Sequence, residues 1–268
     1  MFKKILLITT TFIIAIINSH QSFANQKNIN PKTVIWNSEI GIARLNDSAY
    51  KNDFYQLANF YQAQINPIYC SSASALIIKN ALFYNEIPSQ KSAEIIKPNG
   101  ESIRYNLYSS QEEFFNNETD KIKARDVIKY RKPRIINLPN GSINEDFDPG
   151  LNLSDFAKIL KTHKIRNKIY YQEDTKETSI EEFRIILKKI LNDKTHFIIA
   201  NFNGKVFGNQ TGGHFSPIVA YDEASDSVLV LDVALYKNPW YWVEVADLVK
   251  AMNNPDGDQP RGYLVVWR

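Results

Sequence analysis

The only cysteine of this 268-residue chain stands where an irregular segment gives way to a helical one. Pro67 disfavours a helical conformation at the residue before it, whereas apolar residues between Ala73 and Ala81 recur at helical spacing. We therefore expect Cys70 to begin a largely buried helix, where unpaired backbone N–H groups and the helix dipole favour a thiolate. A lone cysteine before an apolar helix is more often a small core residue, so its role depends on the rest of the chain.

The first residues have the layout of a secretory signal peptide. Two lysines precede an almost wholly apolar run from Ile5 to Ile17, and small residues follow at Ser22 and Ala24. The apolar run is short for a membrane span, which needs about 20 residues, although a retained anchor is the alternative. We expect residues 1–24 to be removed, with export to the periplasm or beyond and no stable membrane anchor, and residues 25–268 to form one catalytic domain.

Charge and cysteine content limit the classes of function that the chain can have. The formal net charge is +3, and two of the positive charges belong to the expected signal peptide, so nothing indicates nucleic-acid binding. A single cysteine cannot form an internal disulfide. A free thiol in an oxidising compartment therefore favours a chemical role.

Periodicity predicts an α+β fold, with helices mainly in the first half and antiparallel strands in the second. The predicted helices cover Asn52–Gln64, Ala124–Tyr130, Leu151–Thr162, a stretch opened by a capping box at Ser179 and ending near Leu191, and Asp247–Met252. The predicted strands cover Lys168–Tyr171, His196–Phe202, Phe215–Tyr221, Ser227–Val233 and Gly262–Trp267. Two stretches rich in proline and glycine, Asn85–Arg104 and Arg131–Gly150, are predicted to be loops, the second an insertion.

His214 is the candidate catalytic histidine. It follows a glycine pair that would let a ligand approach the backbone, and it begins a predicted strand. The other three histidines lie in the expected signal peptide, in a basic loop and at the start of an apolar strand, where structural roles suffice.

Asp232 is the predicted partner of His214. It lies inside the apolar segment Leu229–Val233, where a carboxylate is costly unless it is paired. A strand, a turn and a second strand would bring it beside His214, where it would fix the imidazole tautomer. An aspartate that ends a strand is the alternative.

The chain order of cysteine, histidine and acid is that of papain-like cysteine enzymes. Gln64, six residues before Cys70, stands where such enzymes place a donor for the oxyanion. The four residues together predict acyl transfer through a thioester.

Several segments resemble the catalytic domain of the phytochelatin synthase family. They are Gln64–Asn80, Gly213–Pro217, Leu231–Val243 and Ala251–Tyr263, within a resemblance that runs from Phe54 to Val266. The resemblance implies a papain-like fold, with a helical lobe that carries the cysteine and a β lobe that carries the histidine and aspartate. It also implies glutathione and γ-glutamyl-cysteine peptides as substrates.

The resemblance assigns a role to each candidate. Cys70 attacks the peptide bond before the glycine of glutathione, His214 is base and acid, Asp232 orients it, and Gln64 donates to the oxyanion. Glycine leaves, and a γ-glutamylcysteinyl thioester forms.

Four further residues would hold the γ-glutamylcysteine portion of the substrate by the same resemblance. They are Asn201, Gly213, Asp256 and Arg261. The last two suit the α-amine and the α-carboxylate of a γ-glutamyl group, although solvated loop charges are the alternative.

Three departures from the family bear on the expected outcome. The chain stops at Arg268 without the cysteine-rich C-terminal domain of the plant and yeast enzymes, so it resembles short bacterial members that hydrolyse glutathione to γ-glutamylcysteine. Ser71 stands where the family has glycine, which adds bulk near the acyl group. The Arg131–Gly150 stretch is longer than the family's link.

Alternatives to hydrolysis remain open from the sequence. One is transpeptidation to phytochelatins in response to heavy-metal ions such as Cd²⁺, and another is an inactive papain-like binding protein. No cofactor is expected to be required for the chemistry, and no metal site is expected in the protein. Activation by Cd²⁺ or other heavy-metal ions, as glutathione thiolates, is the open alternative. A homodimer is one expected assembly.

Overall fold

The computed structural model describes residues 32–84, 92–96, 98–100, 102–106, 110–125, 128, 134–137, 143–146 and 150–268. The helices are α1 (Glu39–Asp47), α2 (Asn52–Ala58), α3 (Cys70–Phe83), α4 (Gln111–Phe114), α5 (Asn117–Asp120), α6 (Leu153–Thr162), α7 (Glu177–Ile190) and α8 (Val245–Met252). The strands are β1 (Thr33–Ile35), β2 (Ser92–Ile96), β3 (Ser102–Asn106), β4 (Arg134–Asn137), β5 (Ile143–Asp146), β6 (Arg166–Tyr171), β7 (His196–Asn203), β8 (Gly213–Asp222), β9 (Ser227–Val230), β10 (Tyr241–Glu244) and β11 (Gly262–Trp267).

A seven-stranded antiparallel sheet organises the described residues. Its strand order is β1-β10-β9-β8-β7-β11-β6. Residues alternate between its two faces along β7, because successive side chains of a strand point to opposite sides. Phe197 and Ile199 pack with α3 and α6, whereas Ile198 and Ala200 pack with α7 and α8. The α+β prediction is confirmed.

The sheet departs from the prediction at its edge. Thr33–Ile35 pairs with β10, although residues 26–50 carry only a weak signal in the sequence. A three-residue strand is too short for periodicity to detect, and the pairing depends on a partner more than 200 residues away.

Four predicted helix boundaries are wrong. α6 begins at Leu153 rather than at Leu151, and α8 begins at Val245 rather than at Asp247. α2 ends at Ala58 rather than at Gln64, because the segment after Ala58 bonds to a distant part of the chain. The backbone amide of Gln64 donates to the Val233 carbonyl at 2.8 Å. α7 begins at Glu177 rather than at a capping box on Ser179, whose hydroxyl donates instead to Asp174 Oδ1 at 2.7 Å.

The two predicted loops contain strands: β2 and the start of β3 lie in the first, and β4 and β5 lie in the second. β2 pairs with β3, and β4 pairs with β5, both antiparallel. The glycines and prolines that suggested loops lie outside these four strands. The expected signal peptide and most of the predicted helix at 124–130 lie outside the described residues. No helix in the described ranges is both long enough and apolar enough to cross a membrane.

Asp53 is a buried carboxyl group on the first turn of α2. Its side chain is fully buried, and neither oxygen has a hydrogen-bond partner within the described part of the chain. Burial, reinforced by the charge of Asp193, raises the pKa of Asp53 from 3.8 to about 8. The folded state therefore favours the protonated acid, which burial penalises less than the carboxylate.

Asp53→Asn is expected to remove a pH-dependent loss of stability. The folded-state pKa lies above the unfolded value, so the unfolded chain binds fewer protons between about pH 4 and about pH 8, and stability falls as pH rises through that window. At roughly 1.4 kcal/mol per pKa unit, the wild-type protein should lose on the order of 3 kcal/mol between about pH 5 and about pH 8. Urea unfolding of the variant should show a flatter profile.

The matched control is Asp47→Asn, which changes an exposed aspartate at the end of α1. It should keep the wild-type pH profile of unfolding. An equal pH dependence in Asp53→Asn and the wild type would contradict the buried neutral acid.

Candidate active site

Cys70 is the first residue of α3, as the sequence predicts. It is half-buried. The helix packs against the strand that carries His214, because the Ser74 hydroxyl, one turn along, donates to the Phe215 carbonyl at 3.1 Å. This contact holds the start of α3 beside the start of β8.

His214 and Asp232 are in direct contact. His214 Nε2 lies 2.7 Å from Asp232 Oδ1, and both side chains are buried. The same oxygen accepts from the Ala234 amide at 2.8 Å, and Oδ2 accepts from Asn238 Nδ2 at 3.2 Å. These bonds satisfy a carboxylate that would otherwise be costly to bury.

The position of Asp232 corrects one detail of the prediction. β9 ends at Val230, so Asp232 lies just beyond a strand rather than in the middle of one. The chain turns there because the Asp232 carboxylate accepts from the amide two residues on, in the manner of an Asx-turn.

The imidazole of His214 interacts with Cys70 as well as with Asp232. Burial opposes the charged imidazolium, but the charge and hydrogen bond of Asp232 and the contact with Cys70 outweigh it, and they raise the pKa of His214 to about 10. Since Nε2 faces Asp232, the other ring nitrogen is the one left for the thiol. The structure thus brings together the three residues that the sequence singled out.

The remaining described histidines have structural surroundings. His163 stacks on Phe114 with ring centroids 4.3 Å apart, and burial, with the charge of Lys79, lowers its pKa to about 4. His196 pairs with Asp193 at the start of β7.

Two side chains that sequence analysis missed support the pair. Ser216 Oγ lies 3.0 Å from His214 Nε2 and accepts from the Val233 amide at 3.3 Å, so it links the two segments that carry the pair. The Tyr61 hydroxyl donates to the Asp232 carbonyl at 2.9 Å. Ser216 is two residues after His214 on β8, on the same side of the strand, and that spacing is the signal that could have found it.

Gln64 lies in the loop that leads to α3. Its amide nitrogen donates to the Asn66 carbonyl at 3.0 Å and to the Tyr236 hydroxyl at 3.2 Å. The Asn66 carbonyl also accepts from the Tyr69 amide at 2.9 Å, immediately before Cys70. The side chain of Gln64 is therefore anchored at the end of α3 where the thiol lies.

The four predicted substrate-binding residues form one connected cluster. Asn201 Nδ2 donates to the His214 carbonyl at 3.2 Å, and its oxygen lies 3.5 Å from Arg261 Nη1. Arg261 pairs with Asp256 at 2.7 Å; the arginine is 4% exposed and the aspartate 40%. A Cβ on Gly213 would lie 2.7 Å from a guanidinium nitrogen of Arg261, so a side chain at this position would displace the guanidinium.

Within the described ranges, no group of three or more histidine, cysteine, aspartate or glutamate side chains is placed to hold an ion.

Comparison with known proteins gives a consistent match. Residues 24–263 match the family model for phytochelatin synthase. Glutathione gamma-glutamylcysteinyltransferase 1 of Arabidopsis thaliana is 24% identical over 244 residues, which cover 89% of this chain and 42% of the relative. The glutathione gamma-glutamylcysteinyltransferase of Schizosaccharomyces pombe is 29% identical over 127 residues, 47% of this chain and 30% of the relative. Glutathione gamma-glutamylcysteinyltransferase 1 of Lotus japonicus is 26% identical over 218 residues, 80% of this chain and 36% of the relative. The chain spans less than half the length of these relatives.

Proposed function

We propose, because this chain belongs to the phytochelatin synthase family, that it is a cysteine-dependent enzyme that removes glycine from glutathione. The observation that carries the proposal is the contact of half-buried Cys70 with the imidazole of His214, which is itself paired with buried Asp232. The pKa of this imidazole is raised to about 10, which suits an imidazolium beside a thiolate.

Cys70 would be the nucleophile. Its place at the start of α3 exposes the sulfur to the positive end of the helix dipole, and His214 can take the thiol proton. Asp232 would hold the imidazole with Nε2 protonated, which leaves the other ring nitrogen to exchange protons with the sulfur and the leaving group. The arrangement of helix, histidine and acid supports a papain-like mechanism.

The reaction would have two halves. In the first, the Cys70 sulfur bonds to the carbonyl carbon of the cysteinyl residue of glutathione, the peptide bond to glycine breaks, and His214 protonates the departing amine. In the second, water adds to the thioester, and γ-glutamylcysteine and the free thiol result. Cys70 is only half-buried, which supports access of water to the thioester.

Gln64 would stabilise the oxyanion of each tetrahedral intermediate. Preorganised amide donors aimed at the developing charge make a large contribution to such reactions. The anchoring of Gln64 at the N-terminal end of α3 supports this role.

The cluster around Arg261 would bind the γ-glutamyl end of the substrate. The α-carboxylate of the γ-glutamyl group suits the guanidinium of Arg261, and its α-amine suits the carboxylate of Asp256. Asn201 links the cluster to the backbone of His214, so the γ-glutamyl end would be held at a fixed distance from the reacting bond. Gly213 leaves room for the guanidinium.

Arg261→Met is expected to raise the KM for glutathione by about 10- to 100-fold, with a smaller effect on kcat, because a charge-assisted hydrogen bond contributes roughly 1.5–3 kcal/mol. Arg184→Met is the matched control, since Arg184 is also paired with carboxylates but lies on α7. Steady-state kinetics that show an unchanged KM in folded Arg261→Met would contradict the binding role.

Product analysis tests the proposed function. The protein is incubated with millimolar glutathione, with and without Cd²⁺, and the products are identified by mass spectrometry. Equal amounts of glycine and γ-glutamylcysteine are expected. Oligomers of γ-glutamylcysteine would support the thioester but would show that a peptide amine, rather than water, accepts the acyl group. Intact glutathione or released glutamate would contradict the proposal.

We also propose that residues 1–24 direct export and are then removed. N-terminal sequencing of the protein recovered from outside the cytoplasm should begin after Ala24. A protein that still begins with Met1 would contradict removal.

A further inference from the structure

Both N–H bonds of the Gln64 side-chain amide are already used in hydrogen bonds in the substrate-free protein. The side chain of Gln64 is buried, and its two N–H bonds serve two acceptors, the Asn66 carbonyl at 3.0 Å and the Tyr236 hydroxyl at 3.2 Å. Its oxygen has no hydrogen-bond partner among the described residues. An amide has only two N–H bonds, so neither remains to be given to an oxyanion.

The two acceptors differ in how easily they can be replaced. The Asn66 carbonyl belongs to the loop that enters α3, and it is also held by the Tyr69 amide at 2.9 Å. Tyr236 lies four residues after Asp232, and its side chain is 57% exposed. The Lys237 ammonium lies 5.7 Å from the centre of its ring. Tyr236 thus lies largely at the surface, whereas the Asn66 carbonyl is held by a second hydrogen bond, from a backbone amide just before α3.

The orientation of the amide is determined by these neighbours. Exchanging its nitrogen and oxygen would place the Gln64 oxygen against the Asn66 carbonyl oxygen, an unfavourable contact between two acceptors. The N–H bond directed at Tyr236 is therefore the one that a reacting substrate can take.

We propose that the Tyr236 hydroxyl occupies the position of the substrate oxyanion in the resting protein, and that Tyr236 is a positioning residue which must release Gln64 before the acyl group can transfer. This inference rests on the proposed function, because it assumes that Gln64 donates to the oxyanion. The transition state then loses one hydrogen bond to Tyr236 as it gains one to the substrate.

Tyr236→Phe keeps the ring and its contact with Lys237 but removes the competing acceptor. The first-turnover rate of glycine release is expected to rise by about three- to tenfold, as expected for the loss of one net hydrogen bond of ordinary strength. The KM for glutathione should change little, since the hydroxyl contacts Gln64 rather than the γ-glutamyl site.

Two reagents distinguish an effect of Tyr236→Phe on oxyanion stabilisation from an effect on the reactivity of the Cys70 sulfur. An aldehyde analogue of γ-glutamylcysteine forms a thiohemiacetal: the Cys70 sulfur bonds to the aldehyde carbon, the carbonyl π bond breaks, and the oxygen becomes an oxyanion that then takes up the proton lost by the thiol. Iodoacetamide alkylates the same sulfur by displacing iodide and forms no oxyanion. Tyr236→Phe should bind the aldehyde about three- to tenfold more tightly than the wild type and should react with iodoacetamide at the wild-type rate.

The control is Tyr55→Phe, which removes the hydroxyl of another exposed tyrosine, on α2. It should leave both reactions unchanged. A wild-type protein that releases glycine and binds the aldehyde, with equal or weaker aldehyde binding in Tyr236→Phe, would overturn this inference alone. A wild-type protein that neither releases glycine nor binds the aldehyde would overturn the proposed function and this inference with it.

Discussion

Replacement of Cys70 by alanine is expected to lower the rate of glycine release by at least about 10⁴-fold, because the proposed mechanism has no substitute for the sulfur. Serine should be nearly as damaging, since its hydroxyl is far harder to ionise than a thiol. The chain has no second cysteine. Release of glycine, quantified at saturating glutathione, is the measurement.

Two controls accompany the Cys70 variants. Cys70 is half-buried at a helix start, so both replacements should melt near the wild-type temperature. Wild-type protein alkylated with iodoacetamide should lose activity to the same extent. Alkylated protein that kept its turnover would contradict a nucleophilic role for this thiol.

Asp232→Asn is expected to lower kcat by roughly 10²- to 10⁴-fold while the variant still folds. The asparagine keeps the size of the side chain but removes the charge that stabilises the imidazolium. Burial opposes that charged form and is the largest influence on His214. Without Asp232, burial should dominate, and the pKa of His214 should fall below its ordinary value of 6.5.

The pH profile distinguishes this effect from simple misfolding. The wild-type protein should keep an imidazolium up to about pH 10, so Cys70 alkylation near neutral pH should be fast. In Asp232→Asn that rate should drop to that of an ordinary thiol. The matched control is Asp222→Asn, a second buried aspartate that binds Ser225 instead. Equal alkylation rates in the wild type and Asp232→Asn would show that Asp232 does not stabilise the imidazolium of His214 beside Cys70.

The features that the sequence predicted well are those that depend on local pattern. Apolar spacing after Pro67 places the start of α3 at Cys70, and the strand-turn-strand pattern from His214 to Asp232 places those two side by side. Each depends on residues within one element or one hairpin. The α+β class follows for the same reason.

The features that the sequence did not predict depend on distant partners. β1 is a strand only because β10 offers it an edge. The loop after α2 is held by the backbone amide of Gln64, which donates to the distant Val233 carbonyl. The contact between Gln64 and Tyr236 joins residues 172 positions apart. Periodicity carries no information about such pairings, since it reports only which face of an element is apolar.

The residues predicted to bind substrate are intermediate between these cases. Resemblance to the family selected Asn201, Gly213, Asp256 and Arg261, and complementary charge supported the last two. Neither argument predicts that Asp256 and Arg261 pair with each other before substrate arrives. The glutathione carboxylate and amine would have to enter an existing ion pair, a competition visible only in the folded protein.

Trapping the acyl group on the enzyme tests the central claim most directly. Glutathione labelled in its cysteinyl residue is mixed with excess wild-type protein, the reaction is stopped with acid during the first turnover, and the labelled peptide is identified by mass spectrometry. We expect one γ-glutamylcysteinyl group, carried by the peptide that contains Cys70. Label on any other residue, or glycine release without label on the protein at any time in the first turnover, would contradict the thioester mechanism.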